Sequence, residues 1–164
     1  MSYHWTVYAS LFIGINAALA GGVFQSFSDF VMRGLMQGSP ASGIQSMQGI
    51  NRTVLRSLFL NSFFLLVPAT LAMTYIALTQ LDGTAQKFIV FGTVAYIGLV
   101  FIVTVIGNVP MNERLAKLAA SSIEATDYWQ TYGRDWTRLN HIRTIGSVVT
   151  AISYLFAMLT LTKT

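Results

Sequence analysis

The stretch FIVFGTVAYIGLVFIVTVIGNVPMN, Phe88–Asn112, decides the fold, because none of its 25 residues is Asp, Glu, Lys or Arg. A helix rises about 1.5 Å per residue and the hydrocarbon layer of a bilayer is about 30 Å thick, so about 20 mainly apolar residues cross it. Three other stretches lack these residue types: Met1–Ser28, Ser57–Leu81 and Thr144–Thr162. The four stretches hold 97 of the 164 residues and predict four transmembrane helices.

The composition also indicates a membrane protein. The chain is 54% hydrophobic and 10% charged, whereas soluble domains are about 25% charged. Membrane β-strands need only about 10 residues and alternate in polarity, and no stretch alternates in this way. We therefore predict an all-α fold, an integral membrane four-helix bundle of up-down-up-down order, with amphipathic helices in loops one and three. It forms a single domain over residues 1–164.

Basic residues predict the orientation, since Lys and Arg near the ends of spans are retained in the cytoplasm. One predicted side holds eight of them, and the other holds Lys87 and Lys163. The eight are Arg33, Arg52, Arg56, Arg114, Lys117, Arg134, Arg138 and Arg143. We therefore expect both termini outside and loops one and three in the cytoplasm, with the chain in the cell (inner) membrane. Topology also accounts for the net charge of +4, and no basic helix or aromatic platform indicates nucleic acid as a partner.

Three local patterns predict details of the bundle. Gly14, Ala18 and Gly22 recur every fourth residue, a seam that favours close helix packing in the bundle or a homodimer contact. Glycine and proline in 107–110 predict a break of the third span, followed by a short helix over 111–120 that Asn112 caps. The aromatic residues of the last connection are typical of an anchoring belt at the membrane border. They include Tyr128, Trp129 and Tyr132.

Polar residues gather on the predicted cytoplasmic side. They are Asn51 before the second span, Asn108 and Asn112 at the exit of the third, and Trp136, Asn140 and Arg143 at the entry of the fourth. The last three are spaced i, i+4 and i+7, so they share one helical face. Because amide and guanidinium groups at the membrane border cost free energy unless paired, we expect a shared hydrogen-bond network. The network either fastens the connections to the bundle, or presents Arg143 and several amides to an anionic or enolate oxygen in an apolar cavity.

Three short motifs contain these polar residues. They are Asn108-Val109-Pro110-Met111-Asn112, the run Trp136-Thr137-Arg138-Leu139-Asn140-His141-Ile142-Arg143 before the last hydrophobic helix, and Met47-Gln48-Gly49-Ile50-Asn51 before the second span. Together they resemble the anthrone oxygenase-like family of small four-helix membrane proteins. In order and spacing the resemblance covers most of the chain. It implies an oxidoreductase that uses dioxygen to oxidise an anthrone, or a protein that binds a flat hydrophobic aromatic molecule.

The chemistry of an anthrone assigns expected roles to these residues. The central methylene is acidic, and its enolate reacts with oxygen without a metal, so the protein needs a base, an oxyanion partner and an apolar pocket. We expect Arg143 and Asn140 to act on the enolate oxygen, and His141 to act as the base, because imidazole exchanges protons near neutral pH. Asp29 and Glu113 are alternative bases. The expected substrate-binding residues are Asn51, Asn108, Asn112 and Trp136.

A non-enzymatic or heme-binding membrane bundle is the alternative, since four-helix bundles hold heme between histidines. His4 and His141 are the candidate ligands of heme b, but they lie about a membrane thickness apart in the predicted topology. A single axial histidine, or His4 with a methionine or a symmetry mate, stays open. The spans carry no carboxylate, so no di-iron site is expected. The preferred hypothesis needs no cofactor or metal, and the expected partners are the lipid bilayer, a hydrophobic small molecule and a second copy of the chain.

Overall fold

The structure, a computed structural model, describes residues 4–163. Within that range the chain forms five helices and no strand. The helices are α1 (His4–Gln37), α2 (Pro40–Val54), α3 (Leu58–Gln80), α4 (Gly83–Ala116) and α5 (Ile123–Leu161). All except α2 are long and apolar enough to cross a membrane. The predicted all-α membrane bundle is therefore confirmed.

Serine residues set the beginnings of three helices. The hydroxyls of Ser39, Ser57 and Ser122 each accept a hydrogen bond from the backbone N–H three residues later, at the starts of α2, α3 and α5. Such caps satisfy donors that have no partner inside the helix. Only Gly38 and Ser39 separate α1 from α2, so α2 folds back directly under the bundle. We call the end of the bundle that α2 covers the α2 end.

Helix α5 packs along α1 on one side and along α4 on the other. Helix α3 packs against α1 and α4 and so closes the bundle. The close approach of α1 to α5 uses Gly14, Ala17 and Gly21, which are buried. A Cβ placed on Gly21 would lie 3.2 Å from Ser147 Cβ. Packing inside the bundle therefore holds for Gly14 but not for Ala18 and Gly22, since Ala18 is exposed and nothing lies within 4 Å of Gly22. The homodimer contact stays a prediction. Steps of exactly four residues drift around a helix of 3.6 residues per turn, whereas alternating steps of three and four stay on one face.

Outer surfaces of the long helices are apolar. Large side chains such as Tyr75 and Leu78 on α3, and Phe91 and Ile106 on α4, are well exposed. Soluble monomers rarely expose continuous apolar surfaces of this kind, whereas lipid tails solvate them. The surface therefore agrees with an integral membrane protein.

Helix α4 is continuous through Pro110, which corrects the predicted break. Two π-helical turns, Tyr96–Ile102 and Thr104–Asn108, precede the proline. A π turn widens the helix and lets it accommodate a residue that lacks an N–H. Gly107 serves packing instead, because a Cβ there would lie 2.8 Å from Leu139 Cδ1. Asn112 lies inside the helix and caps nothing, and the helix ends at Ala116 rather than at 120.

A second core, separate from the core between the four long helices, fills the α2 end. It consists of Met32, Ile44, Met47, Leu115, Ala125, Tyr128, Trp129, Tyr132 and Trp136. Trp129 stacks on Tyr132 at 5.5 Å between ring centroids, and Tyr132 stacks on Trp136 at 5.9 Å. The predicted anchoring belt is therefore wrong for Tyr128, Trp129 and Tyr132, because all three are buried in this second core.

We expect Gly43→Ala to destabilise the protein, because a Cβ on Gly43 would lie 2.5 Å from the Leu35 carbonyl oxygen and 2.9 Å from Trp129 Cζ2. Overpacking of this kind costs about 1–3 kcal/mol. The matched control is Gly49→Ala in the same helix, where nothing lies within 4 Å. Since alanine favours a helix over glycine by about 1 kcal/mol, this control should melt at or above the wild-type temperature in detergent. Equal melting temperatures for the two variants would contradict the tight packing of α2 on α1.

Candidate functional site

The α2 end of the bundle contains a cavity of about 360 Å³, to which all five helices contribute. Its walls are mainly apolar and aromatic, with Phe24 and Phe27 from α1, Ile50 from α2, and Phe59 and Phe63 from α3. Polar or charged side chains also line it: Asn51, Arg52, Thr104, Asn112, Glu113, Asn140 and Arg143. An apolar cavity of roughly 300–1,000 Å³ with a few convergent polar groups is typical of a small-molecule site.

Asn140 and Arg143 together link α5 to α1 and α4 at the wall of this cavity. Asn140 Nδ2 donates to the Phe24 carbonyl oxygen at 2.5 Å and to Ser28 Oγ at 2.7 Å, both on α1. Its Oδ1 accepts a hydrogen bond from Arg143 Nη2, and Arg143 Nη1 donates to Thr104 Oγ1 on α4 at 3.5 Å. The amide of Asn140 is therefore fully used, and its effect is to hold the guanidinium in place.

Arg143 is a buried cation without a carboxylate partner. The residue is 7% exposed, with Cζ 4.3 Å from the ring centroid of Phe24 and 5.2 Å from that of Trp136. Its Nε has no hydrogen-bond partner. Across residues 4–163 the ion pairs join only Arg134 and Arg138 to Asp135. Aromatic faces offset part of the cost of burying a cation, so the site favours an added anionic oxygen.

Two amides supply further donors at the cavity. Asn112 Oδ1 accepts hydrogen bonds from the Tyr132 hydroxyl at 2.7 Å and from Trp136 Nε1 at 2.9 Å. These two bonds fix the amide so that its Nδ2 is left as a donor on a residue that lines the cavity. Asn51 lies beside Tyr132, and its Nδ2 is buried without a hydrogen-bond partner. With Arg143, these groups form a set of unused donors.

Asn108 lies behind the cavity rather than in its wall. Its Nδ2 donates to the Trp136 carbonyl oxygen at 3.2 Å, while its Oδ1 is buried without a partner. It therefore joins α4 to α5. Asn108 and Thr104 belong to one π-helical turn, and Phe27 and Ser28 belong to another, Phe27–Val31. Such turns frequently occur at functional sites.

The structure brings together five of the predicted site residues and leaves others apart. Asn51, Asn112, Trp136, Asn140 and Arg143 all line the cavity.

His141 does not lie at the cavity, which corrects its expected placement. Its side chain is exposed, because neighbouring residues on a helix point about 100° apart and Asn140 points inward. Asp29, one alternative base, is also exposed and does not line the cavity, whereas Glu113 does. His4 begins α1, twenty residues before Phe24, whose carbonyl accepts from Asn140. The two histidines are thus about 30 Å apart along α1 and do not form one heme site within a chain.

Sequence reasoning missed Tyr132, Phe24, Ser28 and Thr104. Tyr132 carried a detectable signal, since it lies four residues before Trp136 and extends the stripe of Trp136, Asn140 and Arg143 by one turn. The other three meet this stripe only through packing of α1 and α4 on α5. Between residues 4 and 163, no three His, Cys, Asp or Glu side chains are grouped closely enough to hold a metal ion.

These features define the class of protein: a bundle of four membrane-spanning helices with a buried arginine beside an apolar cavity. A family model described as anthrone oxygenase matches residues 55–153, more than half of the chain. The chain therefore belongs to the anthrone oxygenase family, which confirms the resemblance found in the sequence. The matched region holds Asn112, Trp136, Asn140 and Arg143, whereas Asn51 precedes it. No curated protein and no solved structure gives a significant match.

Proposed function

We propose that the chain oxidises a flat, hydrophobic, anthrone-type molecule with dioxygen in the cavity at the α2 end. The observation that carries the proposal is Arg143, a buried cation without a counter-ion on the wall of an apolar cavity. Family membership supports the reaction class. The cavity walls, with Phe24, Phe27 and Trp136, suit the faces of fused aromatic rings.

The reaction begins with loss of a proton from the methylene carbon. The electron pair of that C–H bond moves through the ring to the carbonyl oxygen, which becomes an enolate oxygen. Donors already held in an apolar site stabilise such a charge strongly, because they need no reorganisation as it develops. Arg143 supplies the positive charge at that oxygen, and the Nδ2 atoms of Asn51 and Asn112 are further donors on the cavity wall. Asn140 is a positioning residue, since its own amide is used in holding Arg143.

Dioxygen then reacts at the former methylene carbon. A C–O bond forms, and the resulting peroxide anion takes up a proton from the protonated base or from water to give a hydroperoxide. The second methylene proton and hydroxide then leave as the O–O bond breaks, together forming one water, and a second carbonyl group remains. Overall, the methylene and one dioxygen give a carbonyl and one water. The protein contributes an apolar cavity and a stabilised enolate, and this reaction requires no bound cofactor.

The test is oxygen-dependent conversion of anthrone to anthraquinone by the purified protein in detergent with a chelator present. We expect conversion above the spontaneous rate, with one dioxygen consumed per quinone formed. An absorption spectrum of the same preparation checks the cofactor, since a Soret band would favour the heme alternative. Absence of conversion above the spontaneous rate would overturn the proposed oxidation, and anthraquinone binding without conversion would favour a binding protein instead.

We also propose that the α2 end faces the cytoplasm, because the eight cations of that side outnumber the two of the other, and Lys and Arg near the ends of spans are retained in the cytoplasm. A phosphatase that is active only outside the cytoplasm should be active when fused to the C-terminus. A fluorescent protein that is bright only in the cytoplasm should be dark when fused there. The matched control is the same pair of reporters inserted between α4 and α5, which should give the reverse result. A bright fluorescent fusion at the C-terminus would place the cavity on the outer side.

A further inference from the structure

We infer that Glu113 is the base that removes the methylene proton. The substrate class is then a carbon acid, a molecule that loses a proton from carbon. This inference rests on the proposed function. The chain contains six carboxylate side chains, all of them in the described residues, and Glu113 alone lines the cavity. The five others are Asp29, Asp82, Glu124, Asp127 and Asp135.

Glu113 and Arg143 both line the cavity, and they lie at different heights along α4. Arg143 contacts Thr104, and Glu113 follows Thr104 by nine residues on the same helix, which is about 13 Å along the helix axis. A helical side chain leans toward the N-terminus of its helix, so the Glu113 carboxylate leans back toward the guanidinium. The carbonyl oxygen and the methylene carbon of an anthrone lie on opposite sides of its central ring. A molecule with its oxygen at Arg143 and its carbonyl–methylene axis along α4 therefore directs its methylene toward Glu113.

The carboxylate of Glu113 is free to accept a proton. It makes no ion pair or hydrogen bond with the residues that the structure describes, and its side chain is exposed at the edge of the cavity. In the step assigned to it, the methylene C–H bond breaks and its proton goes to a carboxylate oxygen. The electron pair goes to the substrate oxygen beside Arg143. The exposed edge then lets the proton pass to water, and no oxidant takes part in this step.

Proton removal can be measured without oxidation. Under anaerobic conditions in D2O, the wild-type protein should exchange the methylene hydrogens of anthrone for deuterium faster than a protein-free control, as followed by proton NMR. A positioned general base contributes about 10²–10⁴-fold, so we expect Glu113→Gln to lower the protein-dependent exchange by at least about 10²-fold. Glu113→Asp, which keeps the carboxylate, should retain more exchange than Glu113→Gln.

Two controls separate this role from a structural one. Glu124→Gln, which changes a carboxylate outside the cavity, should exchange like the wild type. Binding of anthraquinone, which has no acidic methylene, should be unchanged in Glu113→Gln. Wild-type exchange by a folded Glu113→Gln would overturn the inference while leaving the proposed function in place. A wild-type protein that neither exchanges nor oxidises anthrone would overturn both.

Discussion

Replacing Arg143 with glutamine is expected to lower the turnover of anthrone by about 10²–10³-fold, the usual effect of removing one donor from a well-formed oxyanion site. The cation is buried, lacks a carboxylate partner and lies on the wall of the cavity. Glutamine retains a polar amide but removes the charge that stabilises the enolate oxygen. The measurement is the rate of oxygen-dependent quinone formation, corrected for the spontaneous rate.

Two variants define the specificity of this effect. Arg138→Gln removes a cation from the same helix, but the Arg138 side chain is 73% exposed, so we expect wild-type turnover. Arg143→Lys keeps the charge and loses the planar fork that contacts both Thr104 and Asn140, so its turnover should lie between those of wild type and Arg143→Gln. A folded Arg143→Gln protein with full activity would exclude Arg143 as the oxyanion partner.

The spans and one face of the site follow from the sequence because each depends on local periodicity. The length of apolar stretches such as Phe88–Asn112 determines how many helices cross the bilayer. The spacing of Trp136, Asn140 and Arg143 places them on one side of α5 wherever that helix packs. These predictions need no knowledge of the neighbouring helices.

Features that depend on tertiary packing did not follow from the sequence. The continuity of α4 through Pro110 depends on the π-helical turn just before it. The burial of Trp129 depends on α2 folding back over α5, with Gly43 allowing the contact. Glu113 replaces His141 as the candidate base for the same reason, because tertiary packing determines which residues of α4 and α5 face the cavity.

Replacing Asn140 with alanine is expected to give the largest loss of stability among these variants. The change leaves the Phe24 carbonyl, Ser28 Oγ and Arg143 Nη2 without their contacts to the amide. Each buried group that loses its partner costs about 1–3 kcal/mol. We therefore expect a clear fall in the melting temperature in detergent, and Asn61→Ala, which changes an exposed amide on α3, should leave that temperature unchanged.

The same substitution also tests whether Asn140 acts through Arg143. If Asn140 only positions the guanidinium, Asn140→Ala should lower turnover, but it should have little further effect in a protein that already carries Arg143→Gln. Residues in direct contact show such non-additivity in double-mutant cycles. Turnover of the four proteins, measured at a temperature where all are folded, gives the coupling. Fully additive losses would mean that Asn140 affects the reaction independently of Arg143, because removing the guanidinium removes any effect that passes through it.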